Sequence, residues 1–233
     1  MIYFLEVPKI LSSMATGTDR IRQIVLSLRN FSRFDQAEIK SVNLHDGIDS
    51  TLMILQNRLK AKPGRPAIAV IKDYGNIPPV ECYAGQLNQV FMNLISNAVD
   101  ALDEAFTVHS LEAELAQQSD RPADETDDSL KPTIHIQTRM ASDNWVQIAI
   151  ADNGKGISDA AKQKLFEPFF TTKPIGKGTG LGLSISYQIV VDKHGGRLHC
   201  HSTPAKGTTF HIDIPLQQPI AQTPSKLKIV SKT

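Results

Sequence analysis

The 233 residues carry 25 Lys and Arg against 24 Asp and Glu, so a net charge of +1 gives no electrostatic argument for nucleic acid or an anionic membrane. With 41% hydrophobic and 21% charged residues, the composition is that of a globular chain with apolar side chains for one ordinary core. Cys82 and Cys200 lie far apart without metal-like spacing, which suits reduced cytosolic thiols and excludes a disulfide-stapled fold. No apolar run approaches the roughly 18–20 residues of a spanning helix. The opening MIYFLEVPKIL lacks the basic, apolar and small-residue parts of a signal peptide. The expectation is a cytoplasmic chain, with any membrane sensor lying outside it.

In chain order, Ile10, Met14, Gly17, Ile21, Ile24, Leu28 and Phe31 recur at spacings of four and three, the seam of a dimerising helix. Three heptads make a marginal lone helix, so the seam needs a second copy or the chain's own core. Ile48, Leu52, Leu55 and Leu59 predict a second helix starting near Asp46 and stopped by Lys62-Pro63-Gly64-Arg65-Pro66. A strand is predicted over 67–74 and a turn at Pro78-Pro79. Leu87, Val90, Phe91, Leu94, Ile95, Ala98 and Leu102 form one stripe of a helix over 86–105. Residues 110–132, acidic and without aromatics, read as a disordered insertion. Strands follow at 133–140 and 145–152, then a short helix capped by Ser158 and ending near Phe166. A glycine-rich stretch, 173–183, opens into a helix over 184–193, closed by His194-Gly195-Gly196. Strands at 197–203 and 207–215 end the fold, and a polar tail begins at 217.

Three separated elements carry candidate chemistry. Asn93 and Asn97, four apart, share one helix face. Asparagine is a poor helix former, and its amide oxygen is a hard ligand suited to Mg²⁺, although the pair alone fits solvated or capping amides as well. Asp152 ends a buried-looking strand, followed by Asn153, Gly154, Lys155 and Gly156. A carboxylate there can accept from an exocyclic amine while glycines let the backbone approach a flat ligand; Asp-Asn-Gly is also an ordinary turn. Gly176-Lys177-Gly178-Thr179-Gly180-Leu181-Gly182 exposes backbone N–H groups ahead of a helix N-terminus, which suits a polyphosphate or a plain hinge.

Together, Asn93–Asn97, Asp152–Gly156, Phe166-Glu167-Pro168-Phe169-Phe170 and Gly178–Gly182 resemble, in order, the N, G1, F and G2 boxes of sensor histidine kinases of two-component systems. The closing strands over 194–216 look like the family's as well. The resemblance covers Lys40 to Leu216 and implies an α+β Bergerat-type two-layer sandwich, a mixed sheet with helices on one face and ATP under a mobile lid. By position it implies that Asn97 coordinates Mg²⁺ with help from Asn93 and that Asp152 binds the adenine amine. Gly154, Gly156 and Ile157 would line the base pocket, with Thr208 on its far side. Gly178, Gly180, Leu181 and Gly182 would admit the phosphates, Lys173 or Lys177 would reach the terminal one, and Phe166, Phe169 and Phe170 would pack the lid.

Residues 19–35, DRIRQIVLSLRNFSRFD, resemble the second helix of the family's dimerisation and phosphotransfer domain. The resemblance implies a homodimer, a response regulator receiver domain as partner, and a phosphoacceptor helix supplied from upstream or by another chain. The expected organisation is a partial dimerisation helix over 1–39, the ATP-binding domain over 40–216 with its insertion at 110–132, and a tail over 217–233. None of the seven histidines lies on the heptad helix, and only His45 precedes an acidic residue; its place beyond the helix makes it structural. Two other functions remain open, an ATP-binding dimerising module without autokinase activity and an ATPase of the gyrase and chaperone kind. The latter use a glutamate where this chain has Asn93, which disfavours hydrolysis.

Overall fold

The computed structural model describes residues 39–116, 131–174 and 178–218, together with Met14 and Thr18. The heptad seam apart from Met14, Lys177 and the tail from 219 lie outside the described residues.

A short strand β1 (Lys40–Val42) leads into helix α1 (Leu44–Leu59). Asn43 caps α1 by accepting the His45 N–H at 3.1 Å, so the helix begins two residues before Asp46. Leu44, Ile48, Leu52 and Leu55 are buried along one stripe. After α1 the chain is pinned by Arg65, whose side chain is 3% exposed and donates to Asp103 Oδ1 and to the carbonyls of Pro66, Arg58 and Lys60. Strands β2 (Ala69–Tyr74) and β3 (Val80–Cys82) follow, then the long helix α2 (Ala84–Ala116). The later elements are β4 (Thr133–Ser142), β5 (Trp145–Asp152), α3 (Asp159–Lys162), α4 (Gly182–Tyr187) with a π-helical continuation (Gln188–Lys193), β6 (Arg197–Thr203) and β7 (Gly207–Pro215).

Five strands form one sheet in the order β2-β4-β5-β7-β6. β2 pairs parallel with β4, connected through α2, and every other pairing is antiparallel. Alternation decides which face is covered: Ile134, Ile136, Val146, Ile148, Ile150, Phe210, Ile212 and Ile214 point inward and are buried. Opposite them lie Leu87, Val90, Phe91, Leu94, Ile95 and Leu102 of α2 and the stripe of α1. Each fully buried side chain of this kind contributes about 1.5–3 kcal/mol relative to exposure. The α+β two-layer sandwich is therefore present as expected, helices on one face of a mixed sheet.

Local details depart from the sequence expectations. β1 and β3 pair antiparallel in a separate two-stranded sheet, Lys40 opposite Cys82, and three-residue strands carry too little alternation to be foreseen. Helix α2 continues through Ala116, so 110–116, expected to be disordered, is helical; 117–130 lies outside the described residues. The helix capped by Ser158 is one turn long, and α4 starts at Gly182 rather than Ser184. Its second half widens to i→i+5 bonding around His194, which is 0% exposed. His194 Nε2 accepts the Tyr83 N–H at 3.1 Å, so its proton is on Nδ1 and is donated to Ile189 O at 2.7 Å. Burial lowers the His194 pKa and keeps this ring neutral.

Candidate nucleotide site

A cavity of about 810 Å³ opens between α2, the end of β5, the start of α4 and the segment after α3. Its floor is Asp152, the last residue of β5, paired with Thr208 of β7. One carboxylate oxygen accepts the Gly154 N–H at 2.9 Å, and Thr208 supplies a second backbone bond. Burial outweighs both and pushes the Asp152 pKa up to about 6. A carboxyl so placed costs stability when charged, which is common at functional sites.

The loop after β5 is fastened to the far strands. Ile157 N–H donates to Ser202 Oγ at 2.8 Å, and Ser202 Oγ donates to Gly207 O at 2.9 Å and lies 3.0 Å from Thr208 Oγ1. Gly156, Ile157 and Thr208 line the cavity; Gly154 instead sits buried behind Asp152 against Ala101, orienting the carboxylate. Ser202 went unnoticed in the sequence, where one serine in a strand carries no signal.

The wall is α2. Asn93 Nδ2 donates to Gly182 O at 3.0 Å and to Ser186 Oγ at 3.2 Å, tying α2 to α4 and leaving Oδ1 as the atom open to a metal. Asn97 Oδ1 already faces a cation: it accepts from Lys173 Nζ at 3.0 Å. That amide oxygen is a donor of the kind Mg²⁺ takes, so Asn97 fits the expected ion on its own geometry, whereas Asn93 spends its donor on packing. Lys173 also pairs with Asp100 Oδ2, and Asp100 Oδ1 receives Arg58 Nη2. Lys155 pairs with Glu104 at the rim. Asp100 continues the face of Asn93 and Asn97 at helical spacing and was legible to that extent. Arg58, which donates to it from 42 residues away, left no trace in the local pattern.

The three phenylalanines of the lid motif part ways. Phe166 packs on Tyr187 with ring centroids 5.2 Å apart, Phe170 lines the cavity, and Phe169 is 72% exposed at φ 67°, so it does not pack as expected. The backbone of Phe169 is covered by Gly180, whose φ is +67° and whose added Cβ would fall 2.3 Å from the Phe169 carbonyl carbon. Gly178, Gly180 and Gly182 line the cavity. Leu181 turns toward the core instead of the cavity, because the residue ahead of α4 must cover its apolar face. His45 lies elsewhere, stacked on Tyr74 at 4.2 Å with Nε2 2.8 Å from Thr138 Oγ1, consistent with a structural role. Among the described residues no group of three or more His, Cys, Asp or Glu converges on a metal position, and no helix is long and apolar enough to cross a membrane.

Residues 83–218 match the family of histidine kinase-, DNA gyrase B- and HSP90-like ATPases. The sensor kinase CckA of Brucella abortus is 36% identical over 200 residues, 85% of this chain and 19% of CckA. The signal transduction histidine-protein kinase AtoS of Escherichia coli is 30% identical over 208 residues, 88% of this chain and 29% of AtoS. The chain thus spans less than a third of these curated relatives. The catalytic domain of histidine kinase ThkA superposes with a TM-score of 0.57 at 26% identity, covering 77% of this chain and 99% of that domain. ThkA in complex with the response regulator protein TrrA gives 0.60 at 22% identity over 87% of this chain and 49% of ThkA, a likeness of fold. A carboxylate under a cavity walled by two asparagines and roofed by glycines, in a chain with these relatives, has one reading: the protein belongs to the histidine kinase-, DNA gyrase B- and HSP90-like ATPase family, as an ATP-binding catalytic domain of the two-component histidine-kinase type.

Proposed function

We propose that this domain binds ATP with Mg²⁺ and delivers the terminal phosphoryl group to a histidine on a separate helix, for relay to the receiver domain of a response regulator. Asp152 carries this reading: it is a half-buried carboxylate at a strand end, fixed by two backbone N–H groups and directed at an open cavity. Its free acceptor capacity suits the adenine amine, and Gly156, Ile157 and Thr208 bound the base. Asn97, joined by Asn93 through Oδ1, holds Mg²⁺, which when bound neutralises charge on the phosphate oxygens. Lys173 leaves Asn97 for the terminal phosphate, with Lys177 as a second candidate, while Gly178, Gly180 and Gly182 admit the chain of phosphates. Transfer then depends on positioning, since the acceptor must stand within about 3–3.5 Å and in line.

The organisation proposed with it is a dimerising helix over 1–39, the catalytic domain over 40–216 and a flexible tail, acting as a homodimer in the cytoplasm. The ThkA–TrrA complex supports a receiver domain as the downstream partner. An ATPase role is disfavoured by Asn93, an amide held by Gly182 and Ser186 and unable to act as a base toward water. Calorimetric titration with Mg-ATP tests the reading. Wild type binds with micromolar to millimolar strength, and Asp152→Asn weakens it about 100-fold, near 2.7 kcal/mol. Mixed with a peptide carrying an acceptor His and neighbouring carboxylate, the protein labels the peptide from radioactive ATP. Equal affinity in wild type and Asp152→Asn removes Asp152 from the site, and labelling of the chain itself, abolished by His45→Ala, makes His45 the acceptor.

A further inference from the structure

We infer that Arg58, on the last turn of α1 and outside the four motifs, is a phosphate-binding residue of the nucleotide site, stored on the carboxylate of Asp100 until a polyphosphate takes it. The inference rests on the proposed ATP-binding reading and adds a direct phosphate contact to it. Arg58 lines the cavity, and the carboxylates it touches are Asp100 and, at 3.9 Å, Asp103. Asp100 is three residues beyond Asn97, about 4.5 Å of helix rise, and Lys173 Nζ bridges the two side chains, so the guanidinium on the other Asp100 oxygen lies on the wall proposed for Mg²⁺ and phosphate.

The charges around Asp100 explain the storage. A lone carboxylate in the wall of a polyphosphate site would repel its ligand. Here each oxygen is occupied, Oδ1 by Arg58 and Oδ2 by Lys173, so the wall is net positive by one charge without showing two unpaired cations. The pair is partly solvated, with side-chain exposures of 36% and 30%, so exchange of partners costs little. Phosphate offers the guanidinium two oxygens in matching geometry and more charge than a carboxylate. Asp103 does not lose its compensation when Arg58 moves, because Lys62 and Arg65 hold it at 3.0 and 2.5 Å. Arg65 shows what a structural arginine looks like in this fold: 3% exposed and bonded to three carbonyls, none of which Arg58's side chain has as a partner.

ATP, ADP and adenosine are titrated into wild type, Arg58→Ala, Arg58→Gln and Asp100→Asn, with melting curves for each. Loss of the guanidinium weakens ATP and ADP about tenfold while adenosine keeps its affinity, the size of one charge-assisted contact. Asp100→Asn tightens ATP several-fold at low ionic strength, and added salt shrinks both effects. Arg58→Gln, which keeps the aliphatic stem and loses the charge, must reproduce the Arg58→Ala selectivity at near wild-type melting temperature. Equal losses for adenosine and ATP would mean that Arg58 only shapes the pocket or contacts the nucleoside, and unchanged ATP affinity in both Arg58 variants would likewise overturn the inference. Wild type that binds neither adenosine nor ATP would instead sink the nucleotide reading itself.

Discussion

At the floor of the cavity Asp152 stands in a ladder of eight β5–β7 pairs, fixed again by Gly154 and by the Ser202–Thr208–Ile157 bonds. At its roof, residues 170–174 meet α2 through Lys173, a long side chain paired with Asn97 and Asp100. The floor is rigid because the bonds that orient the carboxylate also hold the sheet together. The described link between roof and α2 is different in kind, an ion pair and an amide contact of Lys173 that phosphate and metal can replace. A base pocket needs the first kind of construction and a phosphate gate the second, since the base is recognised by shape and the phosphates must enter and leave.

Two glycines give the largest test of that contrast. Gly207, at φ +101°, begins β7, and a Cβ there would lie 2.0 Å from Asp152 O. Gly207→Ala should cost about 2–3 kcal/mol in a denaturant melt and weaken ATP as the floor shifts. Gly180→Ala forces a clash of similar kind, 2.3 Å from the Phe169 carbonyl carbon, yet the melt should move by about 1 kcal/mol or less because a loop can give way. Its effect should appear in ATP affinity alone. Equal stability losses would erase the distinction between floor and roof.

The next effect is in pH. With the folded pKa of Asp152 raised to about 6, its contribution to stability is complete below the ordinary carboxylate range and is lost as pH rises through 6. At pH 7 the partly desolvated charge is a burden, so Asp152→Asn should melt at the wild-type temperature or above it. Nucleotide binding has the opposite sign, because the charged carboxylate is the better acceptor. Mg-ATP affinity should be level at pH 7–8 and fall several-fold by about pH 5, a dependence missing from Asp152→Asn. An unchanged affinity of wild type across that range would detach the floor from base recognition.

The smallest effect belongs to a residue outside both walls. His45→Ala removes the stacking on Tyr74 and the bond to Thr138, costing about 1 kcal/mol of stability, with nucleotide affinity unaltered. A changed affinity measured by the same calorimetry would bring His45 into the site.

The sheet strands and the faces of α1 and α2 were readable because apolar residues recur with periods of 2 and 3.6, a signal held within each segment. The motif residues were readable for a related reason: Asn93 and Asn97 lie one turn apart, and Asp152 is followed directly by the glycines it needs. What was misread sits at the ends of elements. Leu181 falls within a glycine motif yet turns to the core, because the rotation of α4 about its axis is set by packing on α2. Phe169 was grouped with its neighbours, although its left-handed backbone and the glycine lying on it send the ring outward.

The sequence by itself thus determined the helices and strands, and its family resemblance supplied their assembly into a helix-covered mixed sheet with a carboxylate, two amides and a glycine loop in the order of a nucleotide site. Tertiary structure alone decided the pairing of β1 with β3, the tautomer of His194, and the meeting of Arg58, Asp100 and Lys173. Each of these joins groups 38 or more residues apart, or, for the His194 tautomer, depends on such a contact at Tyr83. Sequence periodicity reports which face of an element is buried, and it is silent on which charged side chains from different elements come to share one carboxylate.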